Sequence, residues 1–311
     1  MPLTPLLDIP DLSGKVIIVT GGSSGLGKES VHQLAKHNPA RIFLGARTAA
    51  RGNAAIAEIE NATPAMKGKI TYLKMDLASF SSLRRAAKSF LAQADRLDIL
   101  MNNAGVMAQP PGMTEDGYEV QFGSNYMGPA LFTQLLLPML QSTASQPDSD
   151  VRVVNLSSEL FKSAPAEGVV LEKIKTDMSD ISSLTRYGQS KLANYYHTKA
   201  LARQHPNILF VAIHPGVVNT GLFDDLRKRR PYTGALISLI GGLFLTDVHK
   251  GARTQLWAST APKAGIQSGG FYNPSQKQYD HHLLRNEKMA KELGDWTHAE
   301  LDREHPEGTD V

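Results

Sequence analysis

The chain of 311 residues contains no cysteine. That excludes disulfides, thiolate zinc sites and a cysteine nucleophile, and it fits a reducing compartment, so a cytoplasmic location is expected. Long apolar runs are also missing, and no stretch reaches the roughly 18 residues of a spanning helix. The longest candidate, Gly234 to Leu245, is too short. The first fifteen residues carry Asp8 and Asp11 with prolines at 2, 5 and 10, and no signal peptide or N-terminal anchor is expected from them. An excess of one charge sign is also lacking, with 33 Lys and Arg against 30 Asp and Glu and a net charge of +3, so nucleic acid is not an expected partner. No acidic residue occurs between Glu29 and Glu58. Histidines 281 and 282 have no third ligand at a suitable spacing, so no metal is expected.

What is present is an alternation of strand-like and helix-like segments. Short apolar runs stand at Lys15–Thr20, Arg41–Ala46, Lys69–Met75, Leu97–Met101, Val151–Leu156 and Ile208–His214, with a short seventh ending at Phe271–Asn273. Helical patterns fall between them: Gly25–His37, Ala49–Asn61, Ser81–Ala94, Thr114–Gln141 and Tyr187–His205. This rhythm predicts an α/β fold, a doubly wound parallel sheet with helices on both faces, as one domain over residues 1–311. A final mixed-charge helix over 283–301, with Trp296, reads as a surface cap.

Two segments carry chemistry. Thr20-Gly-Gly-Ser-Ser-Gly-Leu-Gly27 follows an apolar strand and opens a helix. Gly21, Gly25 and Gly27 let the backbone approach a phosphate, and the helix N-terminus offers free amides to a dinucleotide pyrophosphate. After the second strand an NAD site usually places an acid against the ribose diol. Here Gly45-Ala46-Arg47 stands instead, and Arg47 suits a 2′-phosphate, so NADP(H) is the expected cofactor. A solvated surface role for Arg47 is the plainer alternative. Asp76 suits either the adenine amino group or a helix N-cap.

The second segment is Tyr187-Gly-Gln-Ser-Lys191. Residues four apart share a helix face. An ammonium beside a phenol favours the phenolate and lowers its pKa, which makes the tyrosine a better proton carrier. Ser157 and Ser158 close the fifth strand, at the sheet edge where ligands bind. A hydroxyl there can hold a substrate oxygen as charge develops.

Taken together, these segments resemble a short-chain dehydrogenase/reductase of the conventional single-domain type. The matching positions are Thr20–Gly27, Asp76-Leu77, Asn102–Gly105, Asn125, Val153–Ser158, Tyr187 with Lys191, and His214-Pro215-Gly216 with Thr220. Gly45–Arg47, Met101–Met107 and Gly251–Thr254 are similar to the retinol dehydrogenase branch. The resemblance implies a catalytic set of Asn125, Ser158, Tyr187 and Lys191. Tyr187 would be the general acid/base, Lys191 would hold the nicotinamide ribose, Ser158 would orient the carbonyl, and Asn125 would hold a relay water. It implies a cofactor site of Gly21, Ser23, Ser24, Gly25, Leu26, Gly27, Arg47, Asp76, Leu77, Asn103, Ala104, Gly105, Tyr187, Lys191, Pro215, Gly216, Val218 and Thr220. Residues 159–184 are an insert, expected near the pocket mouth, and 221–249 a substrate lid. The basic run Arg227–Arg230 within it reads as a solvated loop. Its apolar part, Ala235–Leu245, suits either a lid over a bulky apolar substrate or a plain core helix.

The expected activity is hydride transfer between NADP(H) and a ketone, aldehyde or secondary alcohol, in a homodimer or homotetramer. Two other classes remain open: a catalytically silent nucleotide sensor or scaffold, and a redox-neutral enzyme on the same fold.

Overall fold

A computed structural model describes residues 9–218 and 247–303. Thr220, the basic run 227–230 and residues 221–246 of the lid expected over 221–249 lie outside the described residues. Seven strands form one parallel sheet in the order β3-β2-β1-β4-β5-β6-β7. They are β1 (Val16–Thr20), β2 (Arg41–Ala46), β3 (Ile70–Lys74), β4 (Ile99–Asn102), β5 (Arg152–Leu156), β6 (Leu209–Ile213) and β7 (Phe271–Tyr272). β1, β5 and β6 are buried throughout, as strands covered on both faces should be, and in β5 this includes Arg152 and Asn155.

Helices α1 (Gly25–Ala35) and α2 (Ala49–Ala62) cover one face of the sheet, joined late in the chain by α6 (Arg253–Thr260). The other face carries α3 (Phe80–Leu91), α4 (Gly128–Ala144), α5 (Ser183–Gln204) and α7 (Glu287–Arg303). α3 shows how the sequence selects such an element. Ser79 caps it by accepting from the Ser82 amide, and Phe80, Leu83, Ala87 and Phe90 recur at helical spacing on its buried side. Sequence pattern missed α6, whose core-facing Leu256, Trp257 and Ala258 follow one another instead of alternating with polar residues.

The structure corrects three sequence expectations. The fourth helical region does not begin at Thr114. Residues 113–119 form a tight turn, with Gly117 at φ +78° and Met113 bridging Glu119. Helical backbone starts at Val120, widens to a π-helical stretch over Gly123–Met127, and only then runs on as α4. Asp76 is not the cap of α3. That role falls to Ser79, and Asp76 instead closes a turn by accepting from the Ala78 amide.

The C-terminal helix α7 is not a surface cap. Met289, Leu293 and Leu301 are buried in the main core, and Trp296 meets Tyr118 and Phe122 edge-on. Its polar atoms reach inward too. Tyr118 donates to the Glu300 carboxylate at 2.9 Å, and the Tyr126 and Thr297 hydroxyls lie 2.7 Å apart. The insert, residues 159–184, also packs inward. Phe161, Val169, Ile174 and Met178 are buried, and Gly168 packs on Met289 of α7 so tightly that a Cβ would lie 2.7 Å from its Cγ. Insert and final helix therefore complete one another's packing. Because Leu293 is fully buried in this core, Leu293→Ala should lower unfolding stability by about 2–5 kcal/mol in denaturant melts.

Candidate active site

The crossovers leave β1 and β4 toward opposite faces, which opens a crevice at the C-terminal ends of these neighbouring strands. Thr20, the last residue of β1, stitches that crevice. Its hydroxyl oxygen accepts from the Asn103 and Ala104 amides, both at 3.0 Å, and Asn103 Nδ2 donates to its carbonyl at 2.8 Å. The glycine loop sits directly on this seam. Gly21 and Gly25 have φ of +67° and +53°. A Cβ on Gly27 would lie 2.3 Å from the Gly21 carbonyl oxygen and 2.5 Å from Asn103 Nδ2. Only glycine permits that closeness.

Ser24 is the N-cap of α1 and is exposed, yet its side chain makes no cap hydrogen bond. The amides of the first turn, including those of Gly25, Leu26 and Gly27, are left for an anion, as pyrophosphate binding requires. Ser23 stands half-buried beside them. The residues present therefore fit a dinucleotide. Arg47 is exposed at the end of β2 and makes no ion pair among the described residues. Asp76 and Leu77 leave β3 at the same edge, and the Leu77 carbonyl touches Gly128 so closely that a Cβ there would lie 2.3 Å away. Pro215, Gly216 and Val218 leave β6 at this edge as well, with Val218 buried against Gly251. Thr220 lies outside the described residues.

The crevice also holds a residue that sequence reading overlooked. Gln255 on α6 is fully buried and donates to the Leu26 carbonyl at 3.2 Å and to Ser30 Oγ at 2.5 Å, with Asn103 Oδ1 at 3.4 Å. It ties the glycine loop's helix to the β4 loop. No local pattern marks it, because its partners are more than 150 residues away.

Ser158, Tyr187 and Lys191 converge where β5 ends. Tyr187 and Lys191 occupy successive turns of α5, with the ammonium 5.6 Å from the centre of the phenol ring. The Ser158 hydroxyl stands beside the Tyr187 phenol and favours its ionised form. Ser157 Oγ donates to the Lys191 carbonyl at 2.7 Å, which locks β5 to α5, and Lys191 Nζ donates to the Leu156 carbonyl at 2.9 Å. Asn125 lies in the π-helical stretch and grips the backbone of Val106, accepting from its amide at 2.7 Å and donating to its carbonyl at 2.9 Å. It also donates to Ser190 Oγ at 3.0 Å. Gly105 fits between Asn125 and Lys191, where a Cβ would lie 2.9 Å from Asn125 Oδ1.

The electrostatics differ from the sequence expectation of a lowered tyrosine pKa. Burial pushes the Tyr187 phenol up, to about 12, and the Ser158 hydroxyl opposes that rise. Burial equally pushes Lys191 down, to about 8, since one carbonyl is a poor substitute for water around an ammonium.

A second cluster borders the site and was not anticipated. Glu159, next to Ser158, accepts from the Tyr279 hydroxyl and from Lys162, both at 2.6 Å. Its other oxygen lies 3.8 Å from His214 Nε2. These partners hold the Glu159 carboxyl below its ordinary value, the Lys162 ammonium foremost. His214 is buried and desolvation pushes it down, to about 4.

The model of the family described as "short chain dehydrogenase" matches residues 15–170. This chain is a short-chain dehydrogenase/reductase. An uncharacterized oxidoreductase of Schizosaccharomyces pombe is 36% identical over 299 residues, 94% of this chain and 86% of the relative. Retinol dehydrogenase 12 of mouse is 34% identical over 284 residues, 91% and 84% of the two chains. A crystal structure of an uncharacterized protein from Mycobacterium paratuberculosis is similar with a TM-score of 0.74 and 25% identity, covering 97% of this chain and 98% of the other. The levodione reductase crystal structure shares the fold, with a TM-score of 0.66 at 16% identity, over 84% and 96% of the chains. Membership makes the chain an oxidoreductase of CH–OH and C=O groups that uses NAD or NADP. No helix among the described residues is long and apolar enough to cross a membrane.

The buried histidines set a pH dependence. Desolvation lowers His214 and His197 to about 4. In the unfolded chain each binds its proton near pH 6.5, so the stability of neutral burial is present above that pH and is lost as pH falls toward 4. Each should steepen the loss by at most about 1.4 kcal/mol per pH unit. Denaturant melts between pH 7 and 4 should show this slope, and His214→Asn should reduce it.

Proposed function

We propose that the protein is an NADP(H)-dependent carbonyl reductase or alcohol dehydrogenase for bulky, mostly apolar substrates, working as one unit over residues 1–311. The observation that carries the reading is the convergence of Ser158, Tyr187 and Lys191 at one buried point beside the glycine crevice. When bound, the nicotinamide supplies or accepts the hydride. The chain's own groups deal with the oxygen. Ser158 Oγ hydrogen-bonds the substrate oxygen and Tyr187 Oη gives it the proton. In the reverse direction Tyr187 takes that proton back. A phenol held near 12 is a reluctant donor. The Ser158 hydroxyl favours its phenolate, and the Lys191 ammonium, 5.6 Å from the ring and the prevailing form below about pH 8, would add to that. Asn125, bonded to Val106 and Ser190, fixes the floor beneath Lys191.

Arg47 supports the choice of NADP(H): it is exposed at the end of β2 with no competing carboxylate from Ser30 to Ala57. The four exposed large apolar side chains among the described residues support the substrate class. Leu160 follows Ser158, Leu184 precedes Tyr187 by one turn, Val217 leaves β6, and Met113 belongs to the β4 loop, so all four lie along the sheet's ligand-binding edge.

Tyr187→Phe should cut turnover of NADPH with ketones and aldehydes by roughly 10²–10⁴-fold while leaving NADPH affinity intact. Near-normal turnover would remove Tyr187 from the proton transfer. Arg47→Ala should weaken NADPH by about 1.5–3 kcal/mol in titrations and leave NADH nearly unchanged. Equal affinity of the unaltered protein for the two cofactors would rule out the NADP(H) preference.

A further inference from the structure

One of the most deeply buried ion pairs in the described structure joins Arg186 to Glu119, at 1% and 0% exposure and 2.5 Å apart. Arg186 is the residue immediately before Tyr187. Its guanidinium also donates to the Gln109 carbonyl at 2.8 Å, with weaker contacts to the Pro110 and Ile181 carbonyls at 3.5 and 3.3 Å. Glu119 uses its second oxygen to cap the helical run that holds Asn125, accepting from the Phe122 amide at 2.7 Å. Its own amide donates to the Ile174 carbonyl of the insert at 2.8 Å.

The pair thus fastens three pieces of chain at one point: the first turn of α5, the start of the π-helical run, and the loop after β4. Each piece carries part of the proton-transfer group. α5 presents Tyr187, the π-helical run presents Asn125, and the β4 loop presents Val106, whose backbone Asn125 grips. A buried ion pair is a poor way to gain stability, since well-packed apolar side chains of similar volume commonly do as well. What apolar side chains cannot do is fix directions. A planar guanidinium bonded to a carboxylate and to backbone carbonyls sets the orientation of every segment it touches.

We propose that Arg186 and Glu119 are positioning residues that hold Tyr187 and Asn125 in register with each other. The inference rests on the proposed function, because it assumes that these two side chains carry the proton step. At 1% and 0% exposure, neither positioning residue has surface to offer a substrate or cofactor.

The test is the double variant Arg186→Met/Glu119→Gln, which removes both charges together and leaves neither stranded. The amide oxygen of the introduced glutamine can still cap the Phe122 amide. The double variant should fold and bind NADPH within about twofold of the unaltered protein, with KM little changed and kcat for carbonyl reduction reduced on the order of 10–100-fold, the scale of a small misplacement. Hydrogen exchange should accelerate in segments 106–112 and 120–127 and stay unchanged in strands β1 and β2. Wild-type kcat together with wild-type exchange would overturn the proposal. If the double variant does not fold, Arg186→Lys gives the decision. Lysine keeps the charge and loses the fork, so wild-type kcat and exchange in that variant would overturn the proposal equally. Should the unaltered protein reduce no carbonyl compound, the proposed function falls, and the exchange comparison still decides whether the pair holds the two segments.

Discussion

The site depends on one seam, where the last residue of β1 meets the loop leaving β4. Strand order reverses there, so the crossovers part and leave a crevice. A crevice of backbone is unstable unless its polar groups are satisfied. Thr20 does this with a single side chain, accepting two amides from Asn103 and Ala104 while its own carbonyl takes the Asn103 amide group. With the β4 loop held against β1, Gly21 and Gly27 must come within contact of it, and no Cβ fits. The uncapped first turn of α1 then faces outward from the seam. The residues that suit a dinucleotide are thus consequences of how two parallel strands are joined at their ends.

The second half of the site faces the opposite difficulty, because it buries the groups proposed to exchange charge. Burial alone moves Tyr187 toward a weaker acid and Lys191 toward a weaker base. A proton donor and a cation placed in one dry pocket are each uncomfortable alone, and each is favoured by the other's ionised form. Fixed geometry therefore matters more than hydrogen-bond count here. Ser157 locks β5 to α5, Asn125 holds the β4 loop, and the Arg186–Glu119 pair binds the same pieces from the far end.

Much of this was legible in the sequence because it is local. A buried parallel strand is a short apolar run, so all seven strands could be read, with ends shifted by a residue or two. A glycine loop between strand and helix, and Tyr187 four residues before Lys191, need no tertiary knowledge to be noticed. What failed to show depends on distant partners. The turn at 113–119 overrides a helical pattern because Gly117 takes a left-handed conformation and Met113 pairs with Glu119. α7 looked like a solvated helix by composition, yet Glu300 and Thr297 are buried because Tyr118 and Tyr126 reach them across the core. Gln255, Glu119 and Arg186 looked like ordinary polar residues. Their meaning lies in partners far along the chain, 67 residues apart for the ion pair and 229 for Gln255 and Leu26. The direction of the Tyr187 shift was read wrongly for the same reason, since burial is a property of the whole pocket.

In the proposed reaction hydride passes from a nicotinamide to a carbonyl carbon while the chain supplies the proton to oxygen. Isotope transfer tests it most directly. The protein would be incubated with NADPH deuterated at the reactive C4 position and a panel of aryl, alicyclic and long-chain ketones and aldehydes. Mass spectrometry should find alcohol products with one deuterium on the carbinol carbon and a solvent-derived hydrogen on oxygen. Binding of NADPH with no alcohol formed from any carbonyl, or alcohol lacking the deuterium, would contradict it.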